Sequence, residues 1–292
     1  MPKGFQYGGQ AVYEGVMMRG PQVVSLAVRK AGGDIILEKQ FLQPLAARFP
    51  FLKLPLFRGV IALFEALVLG VQMLTKSFNL AAEAEEEELS SGEIAVTILL
   101  AVGLAVLLFI VIPTGAAHFT RGYLNNFWQN LLEGLLRIAI FLVYVIAIAR
   151  MRDIERVFQY HGAEHKVIHA LEAGEKLTVE NARKYTTLHP RCGTSFLLFV
   201  LVLTIFLYSF LHTPGLLWRI GSRILLLPVI AGLAYEFIKW SGRKCDESWV
   251  KVIIAPGLWL QKLTTREPDD SQLEVAICAL EGAMQKEGML AP

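Results

Sequence analysis

The sequence predicts a mainly α-helical polytopic membrane protein. It would have about four transmembrane helices, an interfacial helix, a small N-terminal β element and a C-terminal cytoplasmic helix. Three observations predict this class. Of 292 residues, 54% are hydrophobic and only 18% charged, whereas a soluble domain averages about a quarter charged. The apolar residues are gathered into runs long enough to cross a bilayer. The basic residues crowd into one loop between those runs, as the positive-inside rule expects. A formal net charge of +2 with no basic stripe gives no support for nucleic acid as a partner. Three wide-spaced cysteines, Cys192, Cys245 and Cys278, make no disulfide framework and no Cys-x-x-Cys pair. Met1-Pro-Lys-Gly-Phe does not open a signal peptide.

Residues 1–53 read as a cytoplasmic Gly-rich and β-hairpin segment. Gly8–Pro21 is glycine-rich without being GxGxxG or a P-loop. Val23–Arg29 and Ile35–Phe41 flank Ala31-Gly-Gly-Asp34, two β-prone runs around a turn. Residues 54–93 hold an interfacial helix at 56–80 and an acidic linker at Glu83–Glu88; Arg58, Glu65 and Lys76 argue for lying on the membrane rather than spanning it. A first transmembrane pair occupies 94–149 as Ile94–Ala117 and Leu131–Ala149, with Glu133 and Arg137 spaced i,i+4 to pair. Residues 150–193 form the loop that carries the chemistry. A second pair occupies 194–240 as Ser195–Leu211 and Leu216–Trp240. Residues 241–292 are a cytoplasmic segment whose last helix, Ser271–Lys286, aligns Leu273, Ala276, Ile277, Leu280 and Met284 on one face. The loop 150–192 carries Arg150, Arg152, Arg156, Lys166, Lys176, Arg183, Lys184 and Arg191, while the outer connector 118–130 has Arg121 alone. Both termini and this loop are therefore expected in the cytoplasm.

Tyr160-His-Gly-Ala-Glu-His165-Lys contains His-x-x-Glu-His, the inverted order of the zinc-protease motif. On a helix, His161, Glu164, His165, His169 and Glu172 fall within a sector of about 140°. Histidines at i and i+4 can reach one ion, and imidazole suits zinc and similar divalent metals. Glu164 then lies beside the ion, where it can move a proton as general base or acid. The alternative for this face is a solvated or headgroup-facing surface. A second cluster, His189-Pro-Arg-Cys-Gly-Thr-Ser195, precedes the next crossing. For the third ligand His189 is the first choice and Glu236 the second, with Cys192, His169 and Glu172 left open. Lys166 and Arg191 can hold an anionic substrate group or lipid headgroups. His118 and His212 lie by the outer connectors, away from this chemistry.

Gly8–Pro21, Tyr160–Lys166, His189–Ser195 and Leu263-Thr-Thr-Arg-Glu-Pro-Asp269 together resemble the YqhQ-like bacterial membrane proteins. That family is of unknown function and described as predicted metal-dependent enzymes. The resemblance implies a bacterial cytoplasmic membrane location and marks Glu14, Arg19, His189, Arg191, Cys192 and Glu236 as positions within family motifs. The sequence thus leads to a membrane metalloenzyme, a hydrolase with its site at the cytoplasmic membrane surface. His161, His165 and His189 would hold a divalent metal such as zinc, and Glu164 would be catalytic. The substrate would be a peptide, a membrane protein or a lipid. The alternative is a non-enzymatic scaffold or regulatory protein whose metal site, where it has one, is structural.

Overall fold

The computed structural model describes residues 7–42, 54–82, 90–211, 215–244 and 247–284. The acidic linker, His212 and Cys245 lie outside the described residues. Four strands, β1 (Gly8–Val12), β2 (Gly15–Arg19), β3 (Val23–Arg29) and β4 (Ile35–Phe41), form one antiparallel sheet in sequential order. The expected hairpin is β3–β4. It closes through Gly33 N–H to the Lys30 carbonyl at 2.9 Å, with Gly33 at φ 94°. The Gly-rich stretch before it, read as turns, supplies two further strands. Both faces of β2 and β3 are covered, so their pattern is continuous burial rather than alternation. That loss of alternation hides β2 among glycines and methionines.

The faces are covered by different helices. Val16, Met18 and Ala27 point toward α5 (Arg152–Glu172) and the last helix, α10 (Asp270–Met284). Met17, Val24, Leu26 and Val28 point toward Leu69, Met73, Leu80 and Ala81 of α1 (Pro55–Ala81). Strands from the first fifty residues, a helix from the middle and a helix from the end therefore share one core. The expectation that the final helix docks on this part of the protein is met: Leu273, Ala276, Ala279 and Leu280 are fully buried there.

The remaining helices are apolar or lie beside apolar ones. They are α2 (Ser91–Val106), a π-helical turn (Leu107–Val111), α3 (Ile112–His118), α4 (Asn126–Ile148), α7 (Gly193–Ser209), α8 (Leu216–Arg243) and α9 (Ser248–Thr264); the short α6 (Val179–Arg183) follows α5. Four stretches are long and apolar enough to cross a membrane: Phe57–Ala81, Gly92–His118, Asn126–Ile148 and Leu216–Gly242. Large apolar side chains such as Leu99, Leu225 and Val143 stand exposed along them, as lipid-facing residues do. The chain is a multi-pass membrane protein. The four differ from the expected set by one exchange. Gly193–Ser209 is apolar but shorter, and Phe57–Ala81 is apolar and long enough by composition; its charges are partnered, Arg58 to Glu236, Glu65 to Arg19 and Lys76 to Glu38. Helix α9 was not anticipated. The sequence there reads as a lead-in around Pro256, yet Ser248–Thr264 is helical through that proline.

Inside the bundle Glu133 meets three arginines: Arg137 at 2.8 Å, Arg219 at 3.0 Å and Arg223 at 2.9 Å. All four residues are buried. Asn130 Oδ1 accepts from both Arg219 and Arg223, and the Phe109 carbonyl in the π-helical turn accepts from Arg137 Nε at 2.6 Å. One carboxylate thus ties α4 to α8, and one arginine ties α4 to the π turn. Breaking such a buried network leaves uncompensated charge, at a cost of about 3–5 kcal/mol.

Helix α5 is seated against the chain that follows α9. Arg266 N–H donates to the Phe158 carbonyl at 2.9 Å, and a Cβ on Gly162 would fall 2.0 Å from the Arg266 carbonyl oxygen. Only glycine fits that contact. Two outcomes follow for detergent-solubilised protein. Glu133→Ala lowers the thermal unfolding midpoint strongly, on the order of 3 kcal/mol of stability, while Leu99→Ala at an exposed position changes it little. Gly162→Ala forces the Arg266 backbone away and costs on the order of 1–3 kcal/mol, together with any metal bound by the histidine on either side of it.

Candidate metal centre

Three segments build the site. Helix α5 presents His161, Glu164 and His165 on its face toward the chain after α6. The loop after α6 brings the Thr187 and Leu188 carbonyls and His189. Helix α7 begins at Cys192, whose sulfur is the N-cap acceptor for Thr194 N–H at 3.4 Å.

Each motif histidine is oriented by a backbone carbonyl. His161 Nδ1 lies 2.8 Å from the Thr264 carbonyl and His165 Nδ1 lies 2.5 Å from the Thr187 carbonyl. Carbonyls only accept, so each Nδ1 carries the proton and donates it. Both Nε2 atoms are then left with a lone pair, the tautomer a metal ligand needs. His161 Nε2 is 3.2 Å from Cys192 Sγ, and the two rings are 4.4 Å apart between centroids. Ligand atoms of His161, His165 and Cys192 all lie within 4.8 Å of one another. Cys192, one of several residues left open for the third ligand, completes this group.

Glu164 stands beside the group. Its Oε2 is 3.4 Å from His165 Nε2, and its Oε1 accepts from Gly9 N–H at 2.9 Å. The start of β1 must come close for this. A Cβ on Gly9 would fall 2.4 Å from the Met17 carbonyl and 3.0 Å from Glu164 Cγ. A cavity of about 80 Å³ opens here, lined in part by Tyr7, Gly9, Glu164, His165, Arg191 and Cys192.

His189, the first choice for third ligand, falls with His169 and Glu172 instead. Its peptide N–H and carbonyl are both held by the Gln261 side chain at 2.8 Å, which faces its ring along α5. His169 Nε2 donates to the Leu188 carbonyl at 2.9 Å. Burial is the main influence on His189 and pushes its pKa below the usual imidazole value, against the pull of Glu172. Glu172 feels burial first, which acts to raise its pKa. Hydrogen bonds from His189 and Arg191, with the Arg191 charge, outweigh that and hold it at about 2.

The other sequence candidates are structural in their contacts. Glu236 is bound bidentately by Arg58, at 2.6–3.0 Å, between α1 and α8. Glu14, in the β1–β2 turn at φ 49°, accepts two bonds from Arg156 at 2.5 Å and one from Tyr160. Arg156 rises above its ordinary pKa chiefly through that bond. Arg19 faces Glu65. Lys166 is buried, pairs with Glu267 and donates to the Arg183 carbonyl. Arg191 pairs with Glu172 and lines the cavity. Sequence spacing did not point to the groups that orient the histidines, Thr187, Thr264 and Gln261, because two of them act through backbone carbonyls that any residue carries. The runs His189–Ser195 and Leu263–Asp269 were the available signal.

Two comparisons with known proteins agree. A relative in Bacillus subtilis (strain 168), described as "Uncharacterized protein YqhQ", is 36% identical over 293 residues, covering 93% of this chain and 90% of its own length. No solved structure matches the chain. Residues 54–286 match the family described as "Protein of unknown function (DUF1385)", and with that match and that relative the chain belongs to the DUF1385, YqhQ-like family.

Proposed function

We propose that the protein is a membrane-embedded, metal-dependent hydrolase whose site lies at the cytoplasmic face of the bacterial inner membrane. One observation carries the reading: two imidazoles, fixed by separate backbone carbonyls, turn their free Nε2 atoms toward one cysteine sulfur. The donor set fits. Two nitrogens and a thiolate suit zinc, and three protein ligands leave a position open, as catalytic rather than structural sites do. His161, His165 and Cys192 would hold a zinc-type ion, which would supply a Lewis acid able to lower the pKa of water toward neutrality. Glu164 Oε2 takes and returns the proton, while Gly9 N–H holds its other oxygen in place. The cavity shares Gly8 and Gly9 with a groove lined by α1, Tyr235 of α8 and the sheet, which suits a peptide, a membrane-protein segment or a lipid as substrate.

The cytoplasmic placement rests on two arguments. The basic residues of 150–192 favour the inside. The sheet, α5 and α10 share one core, so the chain crosses an even number of times between β4 and α5, and again between α6 and α10. The α2–α3 helix with α4, and α7 with α8, satisfy this; α1 then lies along the interface beneath the sheet.

A second reading rests on the 3.2 Å contact between Cys192 Sγ and His161 Nε2, with Thr264 orienting the imidazole. That is the geometry of a thiol nucleophile with its base. Cys192→Asp separates the two, because aspartate caps a helix and ligates metal but is no thiol.

Elemental analysis of purified protein is expected to find zinc or a similar metal in wild type and a loss in His161→Ala/His165→Ala. Equal content in the two would end the metal reading. Glu164→Gln should retain the metal and lose about 10²-fold or more of turnover on fluorogenic peptide or lipid-ester substrates. Cys192→Asp should keep metal and part of the activity; retained metal with no activity would favour the thiol reading. For topology, green fluorescent protein fused after Ala82 or at the C-terminus should fluoresce, and alkaline phosphatase fused after Gly122 should be active. Active phosphatase after Ala82 would make α1 a crossing helix.

A further inference from the structure

We infer that the site is binuclear: His169, Glu172 and His189 form a second divalent-cation position beside the His161, His165 and Cys192 set. The inference rests on the metal reading of the first set and extends it. Ligand atoms of the three residues lie within 4.8 Å of one another. Glu172 Oε2 and His189 Nε2 are 3.5 Å apart, the outer limit of the hydrogen bond by which His189 helps hold Glu172 ionised. That distance matches the separation of about 3.4 Å between ligand atoms that share an ion at bonds of about 2.1 Å. His169 Nε2–H is committed to the Leu188 carbonyl, so its Nδ1 keeps the lone pair.

The two sets are neighbours. His161, His165 and His169 follow one another at single-turn spacing on α5. The His165 and His189 rings, one from each set, have centroids 5.6 Å apart, and His169 and His189 are 4.6 Å apart. His189 also lines the cavity that Glu164 and Cys192 line. A row of four imidazoles with one carboxylate at its far end and a thiol at its near end divides naturally between two ions. Dinuclear hydrolytic sites place their metals about 3.5–4 Å apart.

Arg191 is the cation paired with the second set among the described residues. It takes Glu172 Oε1 and leaves Oε2 to face His189, so it neutralises half of the carboxylate without occupying the ligand oxygen. The 3.3 Å contact from Arg191 N–H to His189 Nδ1 is the bond that gives way when the ring proton moves to Nδ1 and frees Nε2. The second set contains only nitrogen and oxygen donors, which admits zinc, manganese or iron. The first contains sulfur. That difference makes the two positions separable by spectroscopy.

The test is a titration of metal-stripped, detergent-solubilised full-length protein with cobalt(II), alongside elemental analysis. Wild type should bind two equivalents per chain. The thiolate-to-cobalt charge-transfer band should saturate at one equivalent, while the visible d–d intensity continues to rise to two. His169→Ala/Glu172→Gln should bind one equivalent and keep the thiolate band; His161→Ala/His165→Ala should lose the band. Saturation of wild type at one equivalent, with the thiolate band present, would overturn the second position and leave the first intact. A second equivalent that persists in His169→Ala/Glu172→Gln is adventitious and would also overturn it. No binding by wild type would remove both. Where the double variant does not fold, the separate saturation of the two bands in wild type decides.

Discussion

The contact that the rest of the site depends on is the seating of Gly162 against the Arg266 carbonyl. It lets two sequence motifs lie against each other at a distance no side chain allows. From that contact, His161 reaches the Thr264 carbonyl, Arg266 N–H reaches Phe158, and Lys166 reaches Glu267. The segment then turns into α10, where Asp269 accepts from Gln272 N–H and starts the helix. Burial acts first on Asp269, to raise its pKa. The bonds from Ser271 and the backbone prevail and lower it, so this cap holds above the carboxylate's unfolded pKa and weakens as acid protonates it. The histidines are thus positioned by the same few residues that dock the last helix on the sheet. The geometry of the site's donors and the folding of the sheet module are one problem.

The membrane bundle solves a different one. With lipid outside, apolar packing alone distinguishes partners poorly, since lipid tails are as apolar as leucine. The Glu133 network supplies direction instead: four charged side chains and Asn130 on α4 and α8 can satisfy their hydrogen bonds in only one register. The π-helical turn presents the Phe109 carbonyl to Arg137. Four residues on stands Pro113, which has no N–H to give that carbonyl, so the oxygen is left for the guanidinium.

How much of this was legible follows from where the information sits. Long apolar runs, the β3–β4 hairpin and the Glu133–Arg137 pair are local patterns, and the sequence shows them directly. The face bearing His161, Glu164 and His165 is equally local, being a matter of helical spacing. What the sequence could not display is convergence. Cys192 and His189 sit close together in one loop, and nothing in their spacing says which joins His161 and which joins His169. That choice is made by Gln261, far along the chain, which clamps the His189 backbone. Helix α9 was hidden because Pro256 reads as a breaker, although Ser248–Thr264 stays helical through it, packed on α7. Strand β2 was hidden because burial on both faces erases the period-two signal on which a strand is recognised.

Cys192 shows why the bundle and the module cannot be treated as separate parts. It is at once the sulfur beside His161 and the N-cap of α7, the helix that packs on α4 and α9. Any shift of α7 along its axis therefore moves the sulfur relative to the two imidazoles. Those imidazoles are held by carbonyls from the loop and from the end of α9, while the sulfur moves with the apolar helix α7. Ser195, one turn into α7, accepts from Gln261 Nε2 at 2.9 Å, and Gln261 holds His189. One glutamine thus couples the start of the apolar helix α7 to the loop that carries His189. The arrangement makes the spacing of the site's donors depend on how the bundle is packed, so a change in the packing of the bundle would be felt first at the sulfur.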